Sequence, residues 1–458
     1  MFLSNFLFPK QQIISFFNFK ENSNVIILIG GFVTLEKKRD AFLDKKISIC
    51  LSALFFLAAT SISYGKSEVS VKQKYYYSPA DPDASIEAKN VYTNLKYLVD
   101  NGYFIFGQEF PTDFQWAKDR ILDENPHDSD CKDILGQHPG VFGSDFHYYL
   151  EGSSEEREIH LRSVRAAHNR GALITFDWHL SSPLERGGSF YVNDGNRGLL
   201  EDIDAGMDEN GQCIDGPNGM CTWYFKQVDR VLEIVKELRF TIVFRPLHEM
   251  SGFWFWWGDL RQHSFGKKGH STFAYRYKKL YRALVEYTRA NGAHNLLYAW
   301  SPSNEAKFDF YPGDHWVDIV GLDIYEQGTT YGPSLDIFRM ELGRLTKFAD
   351  EHHKIAVLAE TGFRMGYPDV ETKFWTEKVL APLIQGPERL RVAWVLTWMN
   401  AQWERSPYIP YLGMENQEAL ADFRLFYQAP QTLFEGDFVG IETTNFRVLP
   451  FFLSQTPN

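Results

Sequence analysis

The sequence predicts a single (β/α)8 barrel. Short apolar runs recur eight times along the chain, each ending in polar or aromatic residues, and the segments between them carry helical periodicity. The runs are Tyr103–Glu109, Gly140–His147, Ala172–His179, Thr241–Glu249, Asn295–Asn304, Val317–Glu326, Ile355–Gly362 and Val392–Asn400. Strands that are apolar almost throughout are buried on both faces, and strands alternating with helices run parallel. Between them, Thr222–Arg239 places Tyr224, Phe225, Val228, Val231, Leu232 and Val235 at spacings of three and four, and Phe273–Asn291 repeats the pattern. An open doubly wound sheet is the competing arrangement, but no G-x-G-x-x-G turn follows any of the strands. A closed barrel carries its site at the carboxyl ends of the strands.

The 458 residues exceed the usual single-domain length, yet barrels of this kind hold one core well above 250 residues. Hydrophobic residues at 44% and charged residues at 23% suit a large buried core. Aromatic residues reach 16%, and tryptophans at strand ends point to a binding surface for a flat amphipathic ligand. The net charge of −12 becomes more negative without the first 65 residues, which carry more basic than acidic side chains. Such a surface repels phosphate backbones, so nucleic acid is not an expected partner.

Residues 1–65 read as a leader. Lys45 and Lys46 precede the apolar run Ile47 to Thr60, followed by Ser61, Ser63 and Gly65, the layout of a secretory signal peptide whose core is too short to span a membrane. A further apolar patch, Val25 to Ile29, precedes it and suggests an over-extended start or a non-native leader. Residues 66–458 then form one exported, monomeric catalytic domain, periplasmic or secreted. Cys213 and Cys221 bracket a Gly/Pro/Asn loop and can form a disulfide in an oxidising compartment, two free thiols being the alternative, while Cys131 is left over. The longest interruption, Ser181–Met220, follows the third strand and belongs on the active face, where it shapes one end of a cleft or is merely a tolerated insertion.

The chemistry resides at the strand ends. Arg245-Pro246-Leu247-His248-Glu249-Met250-Ser251-Gly252-Phe253-Trp254-Phe255-Trp256-Trp257-Gly258 delivers a carboxyl from the fourth strand into a cluster of tryptophans, and Ala359-Glu360-Thr361-Gly362 ends the seventh. Cleaving a glycosidic bond with two carboxyls needs one to protonate the leaving oxygen and one to attack or to activate water. An apolar pocket raises a carboxyl pKa enough for the acid's part. A lone strand-end glutamate is more often an ordinary surface or ion-paired residue. Two of them, on the same face and flanked by indoles and His248, argue for function.

These motifs, with Leu173-Ile174-Thr175 and Asp177-Trp178-His179, resemble glycoside hydrolase family 26 across roughly residues 90–430. The resemblance implies a retaining β-1,4-mannanase on a (β/α)8 barrel, either an internal cutter or one that releases mannobiose from a chain end, acting on mannan, galactomannan or manno-oligosaccharides; no cofactor or metal is expected. It implies Glu249 as acid/base and Glu360 as nucleophile, His248 beside the cleavage point, Trp254 packed near the acid/base, and His179 on sugar hydroxyls. Tyr325 is implied to contact the nucleophile, Trp398 to be the platform after the eighth strand, and Trp223 to be another flanking aromatic. Trp178, Trp257 and Asn400 complete the expected substrate contacts. Ser251 and Met399 depart from residues the family often has, Asn and Arg; the second change puts affinity at a distal sugar position in question.

Other readings fit less well. His248-Glu249 begins an H-E-x-x-H zinc motif, but position 252 is Gly. His352-His353 reads as a solvated pair near a helix end, and no G-x-S-x-G elbow supports a serine esterase. A β-glucanase or β-xylanase of the same family, or a non-catalytic oligosaccharide-binding protein, would use the same tryptophans; the latter has no need of two facing carboxyls.

Overall fold

The computed structural model of the protein describes residues 24–29, 32–37 and 78–449, apart from 119–121, 123–124, 260–266, 327–334, 364–372, 386–389 and 405. The expected signal core, Ile47 to Thr60, lies outside the described residues. Asn24–Ile29 and Phe32–Lys37 pair as an antiparallel hairpin that belongs to a separate compact unit, Met1–Ser70.

In the second unit, eight parallel strands close on themselves: β1 (Phe104–Glu109), β2 (Val141–Asp145), β3 (Leu173–Asp177), β4 (Ile242–Arg245), β5 (Leu296–Trp300), β6 (Ile319–Glu326), β7 (Ile355–Phe363) and β8 (Trp394–Thr397). Closure is made by β8 against β1, with Trp394 opposite Ile105 and Thr397 opposite Gln108. Seven of the eight apolar runs read from the sequence contain their strand whole, and β7 extends one residue past its run, to Phe363. Their two faces serve two cores. Ile105, Val141, Leu173, Val243, Leu297, Ile319 and Val357 share one core with Val91, Tyr92 and Leu95 of helix α1 (Ile86–Asn101), which plugs the amino-terminal end. Phe106, Phe142, Ile174, Phe244, Tyr298, Val320 and Leu358 belong to the other, shared with the surrounding helices.

Helices α2 (Ser154–Arg170), α3 (Met220–Leu238), α4 (Lys267–Ala290) and α5 (Leu335–Glu351) follow β2, β3, β4 and β6, and α6 (Gln417–Gln428) follows β8. α2 starts at a reciprocal cap in which the Ser153 hydroxyl accepts from the Glu156 amide and the Glu156 carboxylate accepts from the Ser153 amide. α3 buries Tyr224, Phe225, Val228, Val231, Leu232 and Val235, the stripe its sequence spacing predicts.

The interruption after β3 is fastened rather than loose. Cys213 and Cys221 are disulfide-bonded, and Cys131 is a buried free thiol. Arg276 and Lys279 of α4 pair with Asp204, and Arg276 also with Glu201. At its other end Tyr191 bridges Phe255, the Val192 amide donates to the Trp254 carbonyl at 2.7 Å, and the Trp256 amide donates to Phe190. This excursion therefore forms a wall against the loop after β4. No helix among the described residues is long and apolar enough to cross a membrane.

Candidate active site

At the carboxyl ends of the strands the barrel interior changes from apolar to charged. Inward-facing positions continue along β3 from Leu173 through Thr175 to Asp177 and along β4 from Val243 to Arg245, because side chains alternate faces. Arg245 lies buried in the middle. Its guanidinium is paired with Glu360, donates to Asp323 at 2.8 Å, and reaches Asp177 at 3.2 Å and the Ser301 hydroxyl at 3.3 Å. A bulge sets the level of Glu360. Leu322 pairs with Leu358, but Asp323 pairs with Glu360, so Ala359 is the extra residue on β7 and Glu360 comes level with Asp323. The other oxygen of Glu360 accepts a hydrogen bond from the Tyr325 hydroxyl at 2.7 Å. Only 4% of Glu360 is exposed.

Glu249 stands just beyond β4 in a left-handed conformation, φ 55°, and Leu247 (51°), Phe110 (45°) and Asn304 (60°) adopt similar backbone angles. Non-glycine residues in that region store strain, and here it occurs at the ends of β1, β4 and β5. The Glu249 amide donates to the Ser301 carbonyl at 2.8 Å, its carbonyl accepts from Gly252, and Trp254 Nε1 donates to its carboxyl at 2.6 Å. Burial, then the charge of Glu360, raises Glu249 to about 8, against the opposing pull of the Trp254 hydrogen bond and Arg245. At neutral pH it keeps its proton, while its indole partner fixes where that proton points.

A histidine pair lines the same floor. His179 Nδ1–H donates to Asp145 at 2.8 Å, and the His179 amide donates to the other oxygen of that carboxyl at 3.1 Å. Burial alone would raise Asp145, but His179 and His147 outweigh it and hold it low. The His179 ring meets His248 edge-on at 4.6 Å between centroids and lies 6.1 Å from Trp398. His248 is buried, and burial with the nearby Arg245 holds its pKa well below the ordinary histidine value, so it is neutral. Asp177, His179 and His248 each present a possible ligand atom, all within 4.8 Å of one another.

Of the residues singled out in the sequence, Glu249, Glu360, His179, His248, Trp254 and Tyr325 interlock at one place, and Trp398 flanks it. Three others, Trp178, Trp257 and Asn400, are buried and do not present substrate surface, and Trp223 is half-buried at the start of α3. Trp178 is 2% exposed and packs with Tyr224 and Phe244, since it follows inward-facing Asp177 and must face outward. Trp257 is fully buried, stacked on Phe255, and donates to the His248 carbonyl at 2.8 Å, so it supports the histidine from behind. Trp223 begins α3 and meets Trp256, a buried ring that itself donates to the Leu180 carbonyl. Asn400 is buried; its amide nitrogen donates to Asp130 and the Ile409 carbonyl, and its oxygen accepts from the Tyr408 and Ile409 amides. It organises the loop after β8. Met399 packs with Phe110 and Phe114, so an arginine's role could not simply be restored there.

Sequence reasoning missed the charged floor: Arg245, Asp177, Asp323, Asp145 and Glu109. Glu109 is buried on β1 with neither oxygen hydrogen-bonded, seated over Gly143, where any Cβ would come within 2.4 Å of its carboxyl. Burial raises it well above the usual carboxylate range; Arg245 pulls it down, and Glu360, Asp145 and Asp323 push it up again. The available signal was the recurrence of charged residues as the last members of apolar strands, Glu109, Asp145, Asp177 and Arg245, while Asp323 lies three residues inside the end of β6.

Fold and site together define a barrel hydrolase of glycosidic bonds. The model of glycosyl hydrolase family 26 matches residues 80–399, and the chain belongs to that family. It is similar to a mannan endo-1,4-beta-mannosidase of Bifidobacterium adolescentis, 27% identical over 77% of this chain and 35% of that protein, so it spans about a third of that longer relative. A Bacillus subtilis protein of the same name is 28% identical over 61% of this chain and 73% of its own length. Among solved structures, a GH26 beta-mannanase from Bacteroides ovatus superposes with a TM-score of 0.63 at 27% identity, covering 78% of this chain and 98% of that one. A family 26 protein from a Muricauda species superposes with a TM-score of 0.67 at 25% identity, covering 81% and 99%.

Proposed function

We propose that this chain is a retaining endo-β-1,4-mannanase that cuts mannan, galactomannan and manno-oligosaccharides by double displacement. The observation that carries the reading is the unequal treatment of two neighbouring carboxyls: Glu360 is ion-paired with Arg245 and held by Tyr325, whereas Glu249 keeps its proton up to about pH 8. Glu360 attacks the anomeric carbon as Glu249 gives its proton to the departing oxygen, leaving a glycosyl ester on Glu360. With that negative charge consumed, the pKa of Glu249 falls, and the residue takes a proton from the incoming water that cleaves the ester. His179 and Trp398 supply sugar contacts on one side and Trp254 on the other. The choice of mannan rests on the similarity to proteins named for that substrate.

We also read the chain as an exported monomer, with residues 1–65 as leader; the Cys213–Cys221 bond supports an oxidising compartment. The test is the release of reducing sugar from soluble mannan, with barley glucan and xylan as controls. The reading requires mannan to be the preferred polymer, a mixture of product lengths from the first minutes, and loss of activity in Glu360→Ala. Preference for glucan or xylan, or release of disaccharide alone, would overturn the substrate or the endo assignment respectively.

A further inference from the structure

We propose that Asp177, His179 and His248 form a binding site for one divalent transition-metal ion, Zn²⁺ or Cu²⁺, and that the bound ion excludes sugar from the cleavage point. Two imidazoles and one carboxylate are a donor set suited to such ions. The three ligand atoms lie within 4.8 Å of one another, and tetrahedral coordination by ligands of this kind needs separations of about 3.3 Å, so small side-chain rotations close the site.

Three observations go beyond that proximity. His179 is already oriented as metal-bound histidines are: its Nδ1–H donates to Asp145 at 2.8 Å, which leaves Nε2 with its lone pair for a ligand. Asp177 Oδ2 and His248 Nε2 face each other at 3.8 Å, with both side chains at least nine-tenths buried, and Asp177 Oδ1 and His248 Nδ1 on their far sides carry no hydrogen bond. The facing oxygen and nitrogen are too far apart to hydrogen-bond to each other, and a cation between them would engage both. Finally, Asp177, Asp323 and Glu360 all pair with the one guanidinium of Arg245, and Asp145 pairs with His179, so carboxyl groups surround the histidine pair. Arg245 approaches Asp177 at 3.2 Å, but its charge is shared with Asp323 and Glu360.

Metal affinity depends only on this geometry; the competition with sugar rests on the function proposed above, because His179 and His248 are there read as sugar contacts. The experiment is titration of the full-length, EDTA-treated protein with ZnCl₂ by calorimetry, together with the visible absorption of bound Co²⁺. One Zn²⁺ per chain is expected. Asp145→Asn should weaken it about 10-fold by freeing the His179 ring, and His179→Asn or His248→Asn should weaken it further. His168→Asn, whose ring pairs instead with Glu442, should leave binding unchanged, and circular dichroism establishes that each variant is folded. Zn²⁺ should raise the apparent KM for mannan without lowering kcat, reversibly with EDTA. Absence of Zn²⁺ binding, or equal binding by the wild type and the folded histidine variants, overturns the metal site. Inhibition that lowers kcat alone overturns the exclusion of sugar. Zn²⁺ binding with this variant pattern in a protein inert toward mannan leaves the metal site standing and refutes the substrate instead.

Discussion

The neighbouring charge that helps raise Glu249 can be removed while most of its surroundings are kept. In Glu360→Gln the side chain retains its size but loses its charge. Two unit charges about 5.5 Å apart, the separation typical of retaining glycosidases, interact by about 3 kcal/mol at an effective dielectric near 20. At about 1.4 kcal/mol per unit, that corresponds to roughly two pKa units. Glu249 should therefore fall from about 8 to about 6, burial keeping it above an ordinary glutamate. Because Trp254 Nε1 donates to its carboxyl, the indole N–H resonance of Trp254 reports the titration directly, with Trp254→Phe identifying the signal. In the wild type the acid must be protonated to act, so kcat/KM on mannan should hold below pH 8 and fall as pH rises through it. A midpoint in Glu360→Gln that stays within half a unit of the wild-type value would refute the reasoning, since burial alone would then set the acid.

Three further substitutions probe the supports of the site. Tyr325→Phe deletes the hydroxyl held 2.7 Å from Glu360; a hydrogen bond to a charged group contributes about 1.5–3 kcal/mol, so kcat/KM should drop roughly 10- to 100-fold, measured on mannopentaose. Asn400→Ala leaves the buried Tyr408 and Ile409 amides without their acceptor at about 1–3 kcal/mol each, so chemical denaturation should show lost stability, whereas a pure substrate contact would change KM alone. Gly107→Ala places a methyl group 2.7 Å from Val141 Cβ across the β1–β2 pairing; the overpacking should cost about 1–3 kcal/mol in the same assay.

The barrel was legible because each strand is buried on both faces, leaving an apolar run that needs no partner to be recognised. Glu249 and Glu360 were legible for a related reason: a carboxyl that ends such a run has only the barrel mouth to face. What could not be read is lateral. That Arg245 would hold Asp177, Asp323 and Glu360 together depends on register between strands far apart in the chain, and the level of Glu360 depends on the bulge at Ala359. Trp178 and Trp257 were over-read because proximity in sequence to a catalytic motif says nothing about facing. For Trp178 the alternation of strand side chains already held the answer, since Asp177 takes the inward position. Asn400 kept its polar character but spends it on the backbone of its own loop.

The central claim is that Glu360 becomes covalently bound to sugar while Glu249 serves it as acid and base. A fluorinated mannosyl donor with a good leaving group slows the second step and accumulates the ester, so peptide mapping of the inactivated protein by mass spectrometry locates the bond. The account predicts one sugar per chain, on Glu360, released again when an acceptor oligosaccharide is added. A label on Glu249, or inactivation without any covalent sugar, would contradict it.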